Sequence, residues 1–502
     1  MKRTLETTIL IAALALGSQH ARAGKPAEPA KPAKPAPAPA AADDWRKTPP
    51  RPTGKVAFKA PRLQQFKLSN GIPVWLVERH DLPLVTVQVL VRAGGERAWS
   101  KAAGLPSLVA TMLDEGTETL GPLALVEKAE GLGAQLSTGS SMESAWVQVN
   151  ALSETLEPSL GLLTDVLLHP KFDAAELERV KADRLTDILQ IKDSPRRLAG
   201  QLLAALMFRG TPYGLPEIGT ESTIKSLTRD DVVSFYRANY VPRNMGVVVA
   251  GDVDARRLKA LLDAQLGKLE NPPQGLEGGS YMYKQSLASV HVYLVDRPGA
   301  PQSEVRVATS GLPRSSKDYA LAEVANNVFG GNFAARLNMN LREKHGYSYG
   351  VYSWAQYRRD SGLMLAAGGI KAEHTSAALL EILAEVRGME ERPPSADELA
   401  LAKNSIVLSL AGRFESNGQV ASSFGELMAF GLPANGYDKL PAQVAKITGK
   451  QVVDFFKNTW RAHDITIVVV GPRKELEKSM QEFAGADKYQ LIDDAEWAKL
   501  FP

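Results

Sequence analysis

The sequence contains one pattern twice, and this duplication constrains the fold more than any other feature. In residues 232–251 the string VVSFY is followed by NY and by the apolar run GVVVAG. Residues 452–471 repeat the pattern as VVDFF, TW and TIVVVG, with no gap and at a constant offset of 220 residues. A constant offset over twenty residues is hard to produce by chance. The chain is therefore predicted to contain two copies of one folding unit.

Each copy combines amphipathic helices with short apolar runs that are typical of strands. The runs 246–251 and 466–471 are rich in valine and too short for a buried helix, which favours a central buried strand. Asn70 and Gly71 predict a hairpin turn, because this pair readily adopts the left-handed conformations of a tight turn. We therefore predict an α+β fold of two homologous domains.

A chain of 502 residues is too long for one ordinary core, which agrees with the duplication. Prolines and glycines in residues 271–279 interrupt helices and strands alike, and so mark a joint between the copies. The predicted segments are a signal peptide (1–23), a Pro/Ala/Lys-rich linker (24–56), an N-terminal domain (57–270), an interdomain linker (271–284) and a C-terminal domain (285–502).

The N-terminus has the pattern of an export signal. Lys2 and Arg3 precede the apolar run 9–16, and the small residues of 21–23 offer a cleavage site. The run is too short to span a bilayer, although an uncleaved anchor is the alternative. The proline-rich segment that follows favours extended polyproline II and cannot bury a core. We expect a periplasmic or otherwise exported protein without a membrane span after cleavage.

Composition argues against two kinds of function. A formal net charge of +3 gives no basic excess of the sort that nucleic-acid binding needs, so no nucleic-acid partner is expected. The chain has no cysteine, which excludes disulfides, thiolate metal ligands and a cysteine nucleophile.

The helical segment 104–113, GLPSLVATML, points to a specific family. It resembles the helix that carries the inverted zinc motif H-x-x-E-H in the family of pitrilysin, insulysin and the mitochondrial processing peptidase. The resemblance places Ser107 and Thr111 at the two histidine positions and Ala110 at the glutamate position. Aligning the stretch 188–195 in the same way places Asp187 at the position of the third ligand.

These replacements remove the chemistry of the family's metal site. Two histidines hold the zinc and the glutamate takes a proton from the metal-bound water, whereas hydroxyls are weak zinc ligands and alanine exchanges no proton. The histidines of this chain nowhere recur at a spacing of three or four residues. We therefore expect no metal in this chain, and expect zinc in a partner subunit.

A second resemblance lies in residues 328–351. In the family, an arginine and a tyrosine seven residues later face the zinc across a closed chamber, and the matching pair here is Arg342 and Tyr349. A guanidinium and a phenol there hold the negative oxygen that forms on the attacked carbonyl. The preceding Gly330, Gly331 and Asn332 are then predicted to contact a bound peptide.

A simpler interpretation is open for the same pair. An arginine in the last turn of a helix stabilises the helix dipole, and a tyrosine on the following strand packs in the sheet. In the sequence pattern Tyr349 falls on such a strand, where alternation would put Tyr347 and Tyr349 on the same face.

The resemblance implies the non-catalytic subunit of a periplasmic heterodimeric zinc metallopeptidase, one half of a clamshell that cuts peptides and is inert alone. Its partner would be a sister chain with an intact H-x-x-E-H. The alternative is a degenerate paralogue that acts only as a binding or scaffold protein. For an independent hydrolase, we find no defensible Ser-His-Asp or paired-carboxylate arrangement.

Overall fold

The computed structural model describes residues 58–98, 102–272, 290–460, 465–485 and 488–501. The predicted signal peptide, the linker 24–56 and residues 273–284 of the interdomain linker lie outside the described residues.

The first half of the described chain forms a mixed six-stranded sheet. Its strands are β1 (Gln64–Lys67), β2 (Pro73–Glu78), β3 (Leu84–Val91), β4 (Gln135–Ser140), β5 (Ala145–Leu152) and β6 (Met245–Gly251). Their order across the sheet is β1-β2-β6-β3-β5-β4. The predicted turn at Asn70 and Gly71 joins β1 to β2, and Gly71 has a φ of +90°, a conformation that favours glycine.

The second half forms a sheet of the same design. Its strands are β7 (Val290–Asp296), β8 (Gln302–Ser310), β9 (Tyr352–Tyr357), β10 (Gly362–Lys371), β11 (Ile465–Gly471) and β12 (Tyr489–Leu491). Their order is β12-β7-β11-β8-β10-β9. In both sheets the repeated apolar run is the central strand, paired parallel on one side and antiparallel on the other. Every residue of β6 and β11 is buried, which confirms the prediction for these runs.

Helices cover both sheets. Those of the first half are α1 (Leu105–Met112), α2 (Pro122–Gly131), α3 (Leu156–Leu168), α4 (Ala174–Asp193), α5 (Pro195–Met207), α6 (Glu221–Ser226), α7 (Arg229–Asn239) and α8 (Ala255–Gln265). Those of the second half are α9 (Tyr319–Phe329), α10 (Arg336–Asn338) continued by a π-helix (Met339–Lys344), α11 (Thr375–Glu391), α12 (Ala396–Gly412), α13 (Asn417–Ala429), α14 (Gly436–Ala445), α15 (Gly449–Asn458), α16 (Arg473–Ala484) and α17 (Asp494–Leu500). Short 3₁₀ helices lie at Gly95–Arg97, Pro212–Gly214, Pro242–Asn244 and Ala372–His374. No helix in the described part of the chain is both long and apolar enough to cross a bilayer.

The two halves exchange one helix each. Helix α5 of the first half packs on β8 and β11 of the second sheet. Helix α13 of the second half packs on β3 and β6 of the first sheet. The fit is close, because a Cβ atom on Gly246 of β6 would lie 2.3 Å from the sulfur of Met428 on α13. The described residues between 56 and 502 form one compact unit. The domain boundaries 57–270 and 285–502 remain a prediction.

A buried cluster of charges adds a polar link between the halves. Arg359, in the turn between β9 and β10, reaches two carboxylates of the first half. Its backbone N–H donates to Oε1 of Glu143 at 3.1 Å, and its Nη2 lies 3.4 Å from Oε1 of Glu96. The hydroxyl of Tyr213 donates to the same Glu143 oxygen at 3.0 Å. Only 3% of Glu96 is exposed, so ionisation of its carboxyl is costly even beside these partners.

The buried carboxyl of Glu96 predicts that the free energy of unfolding falls as the pH rises. Burial raises the pKa of Glu96 to about 8, the neighbouring Glu143 adds to the shift, and Arg359 and Arg97 oppose it. Between the ordinary carboxyl pKa of 4.5 and about 8 the folded protein binds this proton more tightly than the unfolded chain does. The free energy of unfolding therefore decreases with rising pH across that window, by at most about 1.4 kcal/mol per pH unit for one group.

The check is urea unfolding of the wild type and Glu96→Gln at pH 5 and pH 8. Glutamine carries no proton to lose, so from pH 5 to pH 8 the wild type should lose roughly 1–3 kcal/mol more stability than the variant. Glu130→Gln changes an exposed carboxylate on α2 and should leave the wild-type profile unchanged. Parallel pH profiles for the wild type and Glu96→Gln would contradict this prediction.

Candidate functional site

The helix predicted to carry the degenerate metal motif is α1. Gly104 precedes it with a φ of +88°, and a Cβ atom at that position would lie 2.7 Å from the Cα of Gly219. The apolar side of α1 is fully buried in the core of the first half. Ser107 and Thr111 lie on the side that is partly exposed, whereas Ala110 is fully buried. The two histidine positions of the family motif thus line a cleft, and the glutamate position lies in the core.

A guanidinium occupies the space between the two hydroxyls. Arg184 of α4 donates from Nη1 to Oγ of Ser107 at 2.7 Å and from Nη2 to Oγ1 of Thr111 at 2.8 Å. Asp187, one turn further along α4, lines the same cleft, which has a volume of about 330 Å³. The structure therefore places Ser107, Thr111 and Asp187 along one cleft, and the guanidinium of Arg184 joins the two hydroxyls.

The residues of this cleft do not fit zinc. Each hydroxyl is a weak ligand and is already occupied, and the nearest nitrogen atoms belong to an arginine, which donates hydrogen bonds and cannot ligate. In the part of the chain that the structure describes, no group of three His, Asp or Glu side chains could hold a metal ion.

Arg184 is the residue of this site that the sequence reasoning missed. Only 9% of it is exposed, and burial lowers its pKa to about 10, an effect that the charge of Asp187 opposes. One signal could have revealed it: Arg184 and Asp187 are three residues apart on one helix, so they lie on the same side. If Asp187 is aligned with a metal ligand, Arg184 must face the metal position as well.

The second predicted pair also lies together. Arg342 is in the π-helix that ends before Gly346, whose φ of +66° stops the helix. Its Nη1 donates to the backbone carbonyl of Tyr349 at 3.1 Å, and its guanidinium lies 4.7 Å from the ring centre of Phe333. These contacts fix the guanidinium next to Tyr349 on the surface of the second half.

Tyr349 does not lie on a regular strand, so the expected alternation with Tyr347 is wrong. Ser348 pairs with Ile370 and Tyr352 pairs with Ala367, so three residues, 349–351, oppose two, 368–369. This extra residue is a β-bulge, which redirects the side chain. Tyr347 stacks between the rings of two histidines, whereas 82% of Tyr349 is exposed. The hydroxyl of Tyr349 makes no hydrogen bond to any described residue.

The residues predicted to contact a peptide, Gly330, Gly331 and Asn332, differ in their exposure. Gly330 is buried, and both of its backbone polar groups are used, by Asn326 and Ser353. A Cβ atom there would lie 2.7 Å from Oγ of Ser353, so packing alone explains the glycine. Gly331 is exposed, and Asn332 donates to the carbonyl of Asn327 at 2.9 Å. Their role in peptide binding stays a prediction.

Comparison with known proteins agrees with this arrangement. The family model described as insulinase (peptidase family M16) matches residues 74–221, and the one described as peptidase M16 inactive domain matches residues 226–406. The first includes α1 and α4, and the second includes Arg342 and Tyr349. The chain belongs to the M16 peptidase family. This confirms the resemblance predicted from the metal-helix segment and from the Arg-Tyr segment.

Individual M16 relatives cover nearly the whole body. The chain is 25% identical over 429 residues to the non-peptidase homolog YmxG of Helicobacter pylori, which takes in 84% of this chain and 96% of that protein. It is 24% identical over 430 residues to the mitochondrial-processing peptidase subunit beta of Blastocladiella emersonii, covering 83% and 90%.

A solved structure of the M16 family shares the fold. The peptidase M16 inactive domain from Pseudomonas fluorescens superposes with a TM-score of 0.74 at 25% identity, over 82% of this chain and 98% of that one. The prediction of an α+β fold with two homologous halves is confirmed. This M16 chain has a hydroxyl-arginine network at the positions predicted to align with the zinc motif of the family.

Proposed function

We propose that this chain is the non-catalytic subunit of an exported heterodimeric zinc peptidase. The observation that carries the proposal is the contrast between its two sites. The metal position is filled by Arg184, whereas Arg342 is held beside an exposed Tyr349 whose hydroxyl has no described partner. A purely structural role does not require an exposed phenol that is oriented by a β-bulge and has no described hydrogen-bond partner.

The Arg-Tyr pair would act on a peptide that is attacked elsewhere. Hydrolysis places negative charge on the carbonyl oxygen, and a phenol donor with a permanent guanidinium stabilises that charge. In the proposed heterodimer the partner subunit supplies the zinc-bound water, and the two subunits close around the peptide.

Two further considerations support a partner chain and export. One relative is named as a subunit, the mitochondrial-processing peptidase subunit beta. The N-terminal pattern of two basic residues, an apolar run and small residues is that of an export signal. A periplasmic location is part of the proposal.

The test is to express the chain with and without the product of a neighbouring open reading frame that encodes H-x-x-E-H, and to assay a quenched peptide. Hydrolysis should require both chains and should be abolished by a chelator. Chelator-sensitive cleavage by this chain alone would overturn the proposal, because its own α1 and α4 offer no metal site.

The alternative is a scaffold without a role in chemistry, and the name of one relative, non-peptidase homolog, favours it. The two differ in one measurable respect. A scaffold would assemble with its partner yet leave peptide hydrolysis insensitive to changes at Arg342 and Tyr349.

A further inference from the structure

The cleft between α1 and α4 contains a buried cation, Arg184, with no carboxylate oxygen within 4 Å among the described residues; the charge of Asp187 acts on it from further away. Buried arginines are normally paired with an acid, because an unpaired charge is costly to remove from water. The guanidinium of Arg184 instead contacts two hydroxyls and, at 3.4 Å, the carbonyl of Gly104.

Each of the two hydroxyls, of Ser107 and Thr111, donates its proton to a backbone carbonyl. The single hydroxyl proton of Ser107 faces the carbonyl of Glu217 at 2.5 Å, with the carbonyl of Gly104 as a longer second acceptor at 3.1 Å, and Thr111 donates to the carbonyl of Ser107. Both hydroxyl oxygens are therefore left to accept from Arg184 alone. The fork of the guanidinium matches their spacing of one helical turn, so that α1 and α4 are joined through a single positive group.

We propose that Arg184 is the resident cation of the former metal cleft: it joins α1 to α4 as a zinc ion would, and it closes the cleft to divalent cations. Two features therefore prevent metal binding: α1 lacks the histidines, and the arginine of α4 occupies the cleft. Restoring the histidines alone would not restore a zinc site.

The physical reason is both steric and electrostatic. The two guanidinium nitrogens lie within 2.8 Å of the atoms at positions 107 and 111, in the space where ligands from these positions would converge. A fixed positive charge at this distance repels a second cation, and a divalent ion is repelled twice as strongly as a monovalent one.

The experiment compares zinc binding by two variants of the whole chain, and it needs no partner protein. The double variant is Ser107→His with Thr111→His, and the triple variant adds Arg184→Leu; Asp187 remains available in both. Equilibrium dialysis with metal analysis and the absorption spectrum of bound Co²⁺ measure occupancy. We expect the triple variant to bind about one zinc and the double variant to bind at least about a hundredfold more weakly.

The matched control adds Arg237→Leu to the double variant, which removes an exposed arginine on the neighbouring α7 and should leave zinc affinity at the level of the double variant. Circular dichroism confirms folding, and Arg184→Gln replaces Arg184→Leu if the leucine variant does not fold. Tight zinc binding by the double variant would overturn the proposal, as would a folded triple variant that binds none.

A separate measurement tests whether Arg184 joins α1 to α4. In the otherwise wild-type chain, Arg184→Leu should lower the melting temperature by about 2 °C or more, because it leaves two polar helix positions without their common donor. Arg237→Leu should leave it unchanged. Equal melting temperatures for these two single variants would overturn the cross-link.

Discussion

Replacing Arg342 by alanine is expected to lower kcat of the assembled heterodimer about a hundredfold, and Tyr349→Phe is expected to lower it by a similar factor. This expectation depends on the proposed function. Negative charge on the attacked oxygen develops only in the transition state, so the loss should appear in kcat more than in KM. Steady-state hydrolysis of a quenched peptide by purified heterodimer measures it.

Because both groups act on one oxygen, the double variant should lose less than the product of the two single losses. Lys344→Ala is the control for Arg342, since it removes an exposed cation from the same helical segment. Tyr352→Phe is the control for Tyr349, since it removes a nearby phenol at the start of β9. Full activity of Arg342→Ala and Tyr349→Phe in an intact heterodimer would establish the scaffold interpretation instead.

The second large effect is expected in the exchanged helix α13. Phe424 is 1% exposed and belongs to the second half, yet its ring lies 6.4 Å from Trp75 of β2 in the first half. It also contacts the rings of Phe414 and Tyr437. Phe424→Ala should reduce the free energy of unfolding by about 3–5 kcal/mol, because a large cavity would open between the helix and the sheet.

Phe424→Ala should destabilise both halves of the chain. Since α13 covers the first sheet and α5 covers the second, loss of either helix exposes core in the other half. Urea unfolding should therefore remain a single transition, and hydrogen exchange should accelerate in β6 as well as in β11. Leu408→Ala, which removes an exposed leucine from α12, should change stability little. Faster exchange confined to the second half would contradict this prediction.

Much of the candidate site could be predicted because its parts are close together in the sequence. Arg342 and Tyr349 are seven residues apart, and a helix, a glycine stop and a return segment bring them into contact. The bulge at 349–351 could not be predicted. It is defined by the partners of these residues on β10, and alternation within one strand carries no information about register with another.

The sequence by itself determined that the body is a doubled α+β unit, that the chain belongs with the M16 peptidases, and that α1 lacks the histidines and the glutamate. These conclusions rest on periodicity and on the identity of residues at fixed spacing, which are properties of a linear chain. Only the tertiary structure decided which helix covers which sheet and which cation fills the cleft. Such outcomes depend on packing between segments far apart in the chain: α13 lies about 170 residues from the strand β6 that it covers, and Arg184 lies 77 residues from Ser107.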